Sequence, residues 1–277
     1  MDLNSFVFFV IFVVKKRGTD MPKLNRNGVE LYYEVHGSGI PILLTHGYSS
    51  SSHMWEGQIA PFSKHYQLIT WDMRGHGKTD YPEDQAAYSE AETVADMAAI
   101  LDAVGAKQAI IGGLSLGGYM TLAFQLAHPE RCLALLIIDT GPGYKKDEAR
   151  AGWNATSIRR AESFEKNGLP PAGSGGAETR AAPHRNAIGL AKSARGMLTQ
   201  HTPAVIESLP NIRAPSLVVV GAKDEPFLAA SDYMAAKIPG AKKVVIADAG
   251  HAANIDQPEA FNAAVLGFLA DLKLETA

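Results

Sequence analysis

The chain has 277 residues, of which 46% are hydrophobic and 20% charged, with a net charge of -3. This balance excludes a disordered or fibrous chain and gives no basis for adhesion to nucleic acid or acidic membrane surfaces, while leaving enough apolar material for one mixed domain with an inserted subdomain. The single cysteine, Cys132, cannot form an internal disulfide, and no Cys/His cluster has zinc spacing, so the expectation is a cytoplasmic protein without a structural metal.

The first twenty residues differ from the rest. Phe6 to Val14 is a continuous apolar run followed by Lys15, Lys16 and Arg17. A secretory signal carries positive charge before its apolar stretch, whereas Asp2 precedes this one, and a spanning helix needs about 20 apolar residues. Residues 1-20 are read as an extension outside the fold, with Met21-Pro22-Lys23 as the functional start; a short membrane-tethering segment is the competing reading. No stable membrane insertion is expected.

Short β-branched or apolar runs then alternate with helical patterns. Strands are predicted over Val29–Val35, Ile42–Thr45, Gln67–Trp71, Ala109–Ile111, Leu133–Ile138, Leu217–Val220 and Val244–Ile246. Helices are predicted over Thr93–Val104, Gly117–Ala127 and Pro258–Leu272. A fully apolar run such as Leu133-Ala134-Leu135-Leu136-Ile137-Ile138 suits a sheet buried on both faces, and strand-helix alternation implies parallel pairing. The fold class is α/β, a mostly parallel sheet with an antiparallel start, flanked by helices.

One segment breaks the alternation. Residues 142–210 hold no clear strand, only helix-compatible pieces around Asp147–Lys166 and Arg185–Thr199 joined by Leu169-Pro170-Pro171-Ala172-Gly173-Ser174-Gly175-Gly176. It reads as a helical cap over one end of a core made of residues 21–141 and 211–277. Ligands of open α/β sheets bind beyond the carboxyl ends of the strands, where such an insertion would lie.

The chemistry centres on Gly113-Leu114-Ser115-Leu116-Gly117, where an apolar run breaks into glycines around one serine before a helix. A Gly-x-Ser-x-Gly turn holds its serine in a strained conformation that lifts the hydroxyl above the sheet edge. A serine hydroxyl is a weak nucleophile until a base, itself oriented by an acid, takes its proton. His251, in the loop after the last strand, is the candidate base, and Asp224, after the preceding strand, the candidate acid. Asp139 and Glu225 are rival carboxylates, between which only geometry decides. The Leu116 amide and the Tyr48 amide, the latter in a loop tightened by Gly47, are candidate oxyanion donors.

Thr45-His46-Gly47-Tyr48, Asp72-Met73-Arg74-Gly75-His76-Gly77-Lys78-Thr79, the serine turn, Gly221-Ala222-Lys223-Asp224 and Gly250-His251-Ala252-Ala253-Asn254-Ile255-Asp256-Gln257-Pro258-Glu259 together resemble the α/β-hydrolase superfamily, from about Leu24 to the C-terminus. The order Ser, Asp, His is that of this fold. The chain looks like the small esterases and enol-lactonases, and is similar in layout to serine-dependent acyl-homoserine lactonases. The resemblance implies a Ser-His-Asp triad, no cofactor, and a loop-shaping role for Asp72, Arg74 and His76. The alanine-rich cap matches no subfamily pattern.

The expected activity is hydrolysis of a small-molecule carboxylic ester or lactone through an acyl-enzyme. Alternatives are a carbon-carbon bond hydrolase of the same fold and a slow-turnover ligand receptor. Epoxide hydrolases and haloalkane dehalogenases of this fold carry an aspartate where Ser115 stands, and the His-x-His-x-Asp-His cluster of metal-dependent lactonases is absent from the sequence. Gly47, Trp153 and Met197 are candidate substrate contacts. Phe164, Ile188, Leu190 and Leu198 are further apolar candidates, more readily explained as cap core. Arg159, Arg160, Arg180, Arg185 and Arg195 could meet a carboxylate or lactone, although solvated surface explains most arginines.

Overall fold

The computed structural model describes residues 23–274, so the expected extension over residues 1–20 lies outside the described residues. Eight strands form one sheet: β1 (Lys23–Arg26), β2 (Val29–His36), β3 (Ile40–Thr45), β4 (Tyr66–Trp71), β5 (Ala109–Leu114), β6 (Cys132–Ile138), β7 (Ser216–Gly221) and β8 (Lys242–Ile246). Their order is β1-β2-β4-β3-β5-β6-β7-β8. The first two pairings are antiparallel, and every pairing from β4 to β8 is parallel.

Strand β1 adds to the sequence expectation. It is short and polar, but Asn27-Gly28, both at positive φ, closes the two-residue hairpin that pairs Arg26 with Val29. An Asn-Gly pair is the strongest short hairpin signal, and it was present in the sequence.

Side chains alternate across the strands, so consecutive residues feed two separate cores. Leu43, Ile69, Ile111, Leu135, Ile137 and Val218 join one buried cluster, whereas Ile42, Leu44, Ile110, Leu136, Ile138 and Val219 join the other. Helices α2 (Glu90–Ala103) and α3 (Leu116–Ala127) cover the first face through Met97, Ile100, Met120 and Phe124. Helices α1 (Glu56–Phe62) and α9 (Pro258–Asp271) cover the second through Phe62, Phe261, Val265 and Phe268. Burial on both faces is why the central strands read as unbroken apolar runs.

Residues 142–210 leave after β6 and rejoin before β7, carrying α4 (Asp147–Asn167), α5 (Ala187–Gly196) and α6 (Ala204–Ser208). Ala161, Ala191, Ala194, Met197, Leu198 and Val205 extend the first core cluster, so this segment shares the core of the sheet. Two further helices precede α9: α7 (Glu225–Lys237) and the short α8 (Ala253–Asp256). Helix α7 is absent from the helices expected above; its start, Asp224-Glu225-Pro226, is turn-like in composition, but Pro226 occupies the first helical turn, where its missing N–H costs nothing. Among the described residues, no helix is long and apolar enough to cross a membrane.

Packing is very tight between β3, β5 and the start of α3. A Cβ added at Gly113 would lie 2.8 Å from the Thr45 carbonyl oxygen, and one at Gly117 would overlap that carbonyl and lie 2.7 Å from the His46 oxygen. These neighbours are backbone and cannot step aside. Gly117→Ala is therefore expected to cost about 1–3 kcal/mol. Thermal unfolding should show a midpoint lowered by several degrees, and an unchanged midpoint would contradict the packing described.

Candidate active site

Ser115 sits between β5 and α3 at φ 56°, ψ -115°, a conformation costing a serine roughly 1–3 kcal/mol. Three hydrogen bonds hold it there: its N–H donates to the Ile138 carbonyl at 3.0 Å, and its carbonyl accepts from the Tyr119 N–H at 3.0 Å and from the Thr140 hydroxyl at 2.6 Å. The expected strain at the strand-to-helix turn is present, and the neighbouring strand β6 stabilises it. Among the described residues, the Ser115 hydroxyl has no hydrogen-bond partner.

The other polar groups arrive from parallel strands that end on the same edge. Asp224 follows β7 and His251 follows β8. His251 Nδ1 lies 2.9 Å from Asp224 Oδ2, and the ring stacks on Phe227 with centroids 5.1 Å apart. Asp224 is buried and His251 half-buried. Burial pushes the imidazole pKa down, but the hydrogen bond and charge of Asp224, aided by Asp139 and Glu178, outweigh it, and the pKa settles above the ordinary value.

The rival carboxylates stand elsewhere. Asp139 is buried and accepts from the Gly221 N–H at 2.7 Å and the Ala253 N–H at 3.2 Å, tying β6 to β7 and α8. Burial raises its pKa to about 8 against the pull of those amides. Glu225 begins α7 and is exposed. Among these three carboxylates, Asp224 alone bonds the His251 ring.

Ser115, Asp224 and His251 open onto a cavity of about 540 Å³, lined also by Tyr48, Leu116, Trp153 and Met197. The turn after β3 places Tyr48 beside Ser115; the Gly47 carbonyl accepts from the His46 ring at 2.7 Å and from the Ser50 N–H at 3.2 Å. The Leu116 amide belongs to the first turn of α3, whose N–H groups lack intrahelical acceptors.

A family model described as the alpha/beta hydrolase fold matches residues 40–171. The chain has the α/β-hydrolase fold. The 3-oxoadipate enol-lactonase 1 of Acinetobacter baylyi is 27% identical over 278 residues, spanning 90% of this chain and 96% of that one. A thermophilic esterase from Thermogutta terrifontis superposes with a TM-score of 0.77 at 26% identity, covering 91% of this chain and 97% of its own. An N-acyl homoserine lactone degrading enzyme matches with a TM-score of 0.63 at 28% identity, over 89% of this chain and 100% of that one. In company with such relatives, this α/β hydrolase is an enzyme that hydrolyses its substrate.

The remaining sequence candidates divide by position. Trp153 and Met197 line the cavity, whereas Gly47 lies outside its lining and packs behind Ser115. Leu198 lines it too; Leu190 is buried, the Phe164 ring meets the Tyr48 ring at 6.2 Å, and Ile188 is exposed. Of the five arginines, Arg160 lines the cavity. Arg195 pairs with Glu165 at 2.8 Å, Arg185 donates to the Lys78 carbonyl at 2.8 Å, and Arg159 donates to the Thr156 hydroxyl at 2.8 Å. Arg180 donates to the Gly176 carbonyl at 3.4 Å.

The loop after β4 is structural in its contacts. Asp72 accepts from the Ser52 N–H at 2.6 Å and the Lys78 N–H at 2.8 Å, and Arg74 forks onto Asp96 at 2.7 and 2.8 Å. The sequence reading missed a histidine array behind the turn at Tyr48. His46 and His76 lie with ring centroids 5.0 Å apart, and His76 and His184 at 5.7 Å. Each accepts a backbone N–H on one ring nitrogen, from Met73 at 3.0 Å, Ser49 at 3.2 Å and Gly77 at 3.3 Å respectively. A ring nitrogen that accepts must be unprotonated, so all three imidazoles are neutral.

Burial agrees, pushing His46 down to about 4 and His76 and His184 below the ordinary imidazole value. A folded pKa below the unfolded one adds stability that is complete above about 6.5 and lost as pH falls towards the folded pKa. His251, with a raised pKa, acts in the opposite sense: its contribution is complete below the unfolded pKa and lost as pH rises through the folded one. Asp139, with its raised pKa, acts in the same sense as His251, but three neutral imidazoles outweigh it on the acid side, so urea unfolding at pH 5 should show lower stability than at pH 7.5. Equal stability at the two pH values would contradict the tautomers assigned.

Proposed function

We propose that this α/β hydrolase cleaves carboxylic esters or lactones through an acyl-enzyme on Ser115. The observation that carries the reading is the His251–Asp224 hydrogen bond at 2.9 Å on the rim of the cavity into which Ser115 opens. His251 Nε2 takes the Ser115 proton as Oγ attacks the acyl carbon, while Asp224 holds the tautomer that keeps Nε2 free to accept. The tetrahedral oxyanion is met by the Tyr48 and Leu116 amides. Collapse expels the alcohol, which His251 protonates; in a lactone that alcohol stays attached to the acyl chain. Water, deprotonated by His251, then attacks the acyl-enzyme and releases the acid with Ser115 restored. Residues 142–210 act as a cap that walls the cavity with Trp153, Met197 and Leu198.

The raised His251 pKa sets the pH dependence. The base must be neutral, so kcat/KM falls as pH drops through a value above the ordinary imidazole range. Steady-state hydrolysis of short p-nitrophenyl esters and acyl-homoserine lactones tests the scheme. Ser115→Ala should abolish turnover, and Asp224→Asn should lower kcat by about 10³–10⁴-fold. Retained turnover in Ser115→Ala would sink the reading. A single slow turnover by the wild type would favour a receptor, and cleavage restricted to carbon-carbon substrates the other hydrolase class.

Within that class, the cavity favours a substrate with an anionic group. Arg160 lies on the same inward stripe of α4 as Trp153, Ser157 and Phe164, and among the described residues it has no ion pair or hydrogen bond. A charge-assisted contact at an exposed rim is worth on the order of 1 kcal/mol or somewhat more. Arg160→Gln should therefore lower kcat/KM for a p-nitrophenyl hemiester of a dicarboxylic acid about tenfold relative to the matched neutral ester. A ratio unmoved by the substitution would remove Arg160 from substrate recognition.

A further inference from the structure

We propose that His184, carried by the 142–210 segment, is a positioning residue for the oxyanion site: it fixes the Ser49 peptide and, through it, the turn that aims the Tyr48 amide at the cavity. The inference rests on the Ser115 acyl-enzyme reading.

Gly47 to Ser50 form a tight turn closed by the Ser50 N–H donating to the Gly47 carbonyl at 3.2 Å, with Ser49 in the left-handed region at φ 54°. Each of its three peptide planes is held from outside by a different histidine. The Gly47 carbonyl accepts from His46 Nδ1 at 2.7 Å, the Ser49 N–H donates to His76 Nε2 at 3.2 Å, and the Ser49 carbonyl accepts from His184 Nε2 at 2.9 Å. The first plane decides the chemistry, because the Tyr48 N–H is on its opposite side from the Gly47 carbonyl. Holding that carbonyl back presents the N–H forward, and a turned plane would put an oxygen where the oxyanion must sit.

His46 and His76 belong to the same sheet edge as the turn. His184 comes from more than a hundred residues further along the chain, and the Glu178 carbonyl beside it accepts from the Ser50 hydroxyl at 2.5 Å. A serine with positive φ relaxes unless its neighbours hold it. With the His184 bond gone, the plane between Ser49 and Ser50 is free to rotate, which withdraws the Ser50 N–H from the Gly47 carbonyl and loosens the plane that carries the Tyr48 amide. Substrate contacts on the cavity wall are untouched by this change. The loss therefore falls on the transition state and spares ground-state binding.

The test compares His184→Gln, whose amide can still donate to the Ser49 carbonyl, with His184→Met, which has similar bulk and no donor. The readouts are kcat and KM on p-nitrophenyl butyrate and inhibition by phenylboronic acid, whose tetrahedral adduct on Ser115 places an oxygen at the oxyanion position. Expected for His184→Met is a kcat lowered at least tenfold, KM within about threefold, and boronate affinity weakened in parallel with kcat, with His184→Gln recovering most of both. Equal behaviour of the two variants, whether both active or both impaired, overturns the inference, as does a loss confined to KM. If neither variant folds, adding Ser49→Gly, which accepts positive φ without strain, to His184→Met should restore kcat, and failure to do so also overturns it. A wild type that hydrolyses no ester overturns the Ser115 reading and this inference together; an active wild type with indistinguishable variants overturns this inference alone.

Discussion

Everything at the candidate site depends on how closely α3 approaches β3 and β5. Gly113 and Gly117 let the start of α3 press against the Thr45 and His46 carbonyls, closer than any side chain allows. That approach throws the intervening serine into positive φ and out over the sheet edge. The same contact fixes the distance between Ser115 and the turn at Tyr48, because both hang from adjacent parallel strands. An antiparallel neighbour would have put one of them at the opposite end of the sheet. Parallel pairing and the glycine contact together convert three distant stretches of sequence into one cavity.

The division of labour among the acidic groups follows from where each strand ends. Asp139 and Asp224 both leave strands at this edge and both are buried. Asp139 turns back into the sheet, where the Gly221 and Ala253 amides take its two oxygens. Asp224 lies one strand further on, beside the loop that carries His251. A carboxylate committed to two backbone amides is a clamp, whereas one that faces a ring nitrogen can answer a change of charge there.

The central strands and the serine turn were legible in the sequence because they obey local rules: apolar runs between turns, and glycines bracketing one hydroxyl. What was not legible depended on contacts distant in the chain. Strand β1 is too short and polar to show a pattern of its own, and only its Asn27-Gly28 turn marks it. The sequence already favoured Asp224 over Asp139, although both follow apolar strands; the Asp224 contact with the His251 ring needed the fold. Arg160 reads like its four fellow arginines until α4 is seen to turn that face inwards. His184 lies in a stretch with neither periodicity nor motif, and its partners, Ser49 and Gly77, are more than a hundred residues away.

Tyr48 gathers these threads in a single residue. Its hydroxyl donates to the Leu190 carbonyl at 2.9 Å, its ring meets Phe164, and it lines the cavity together with Ser115. Residues 142–210 are therefore tied to the turn after β3 through this one side chain. A change at Leu190 or Phe164, far along the chain from β3, is thus felt at the turn after β3 through one tyrosine.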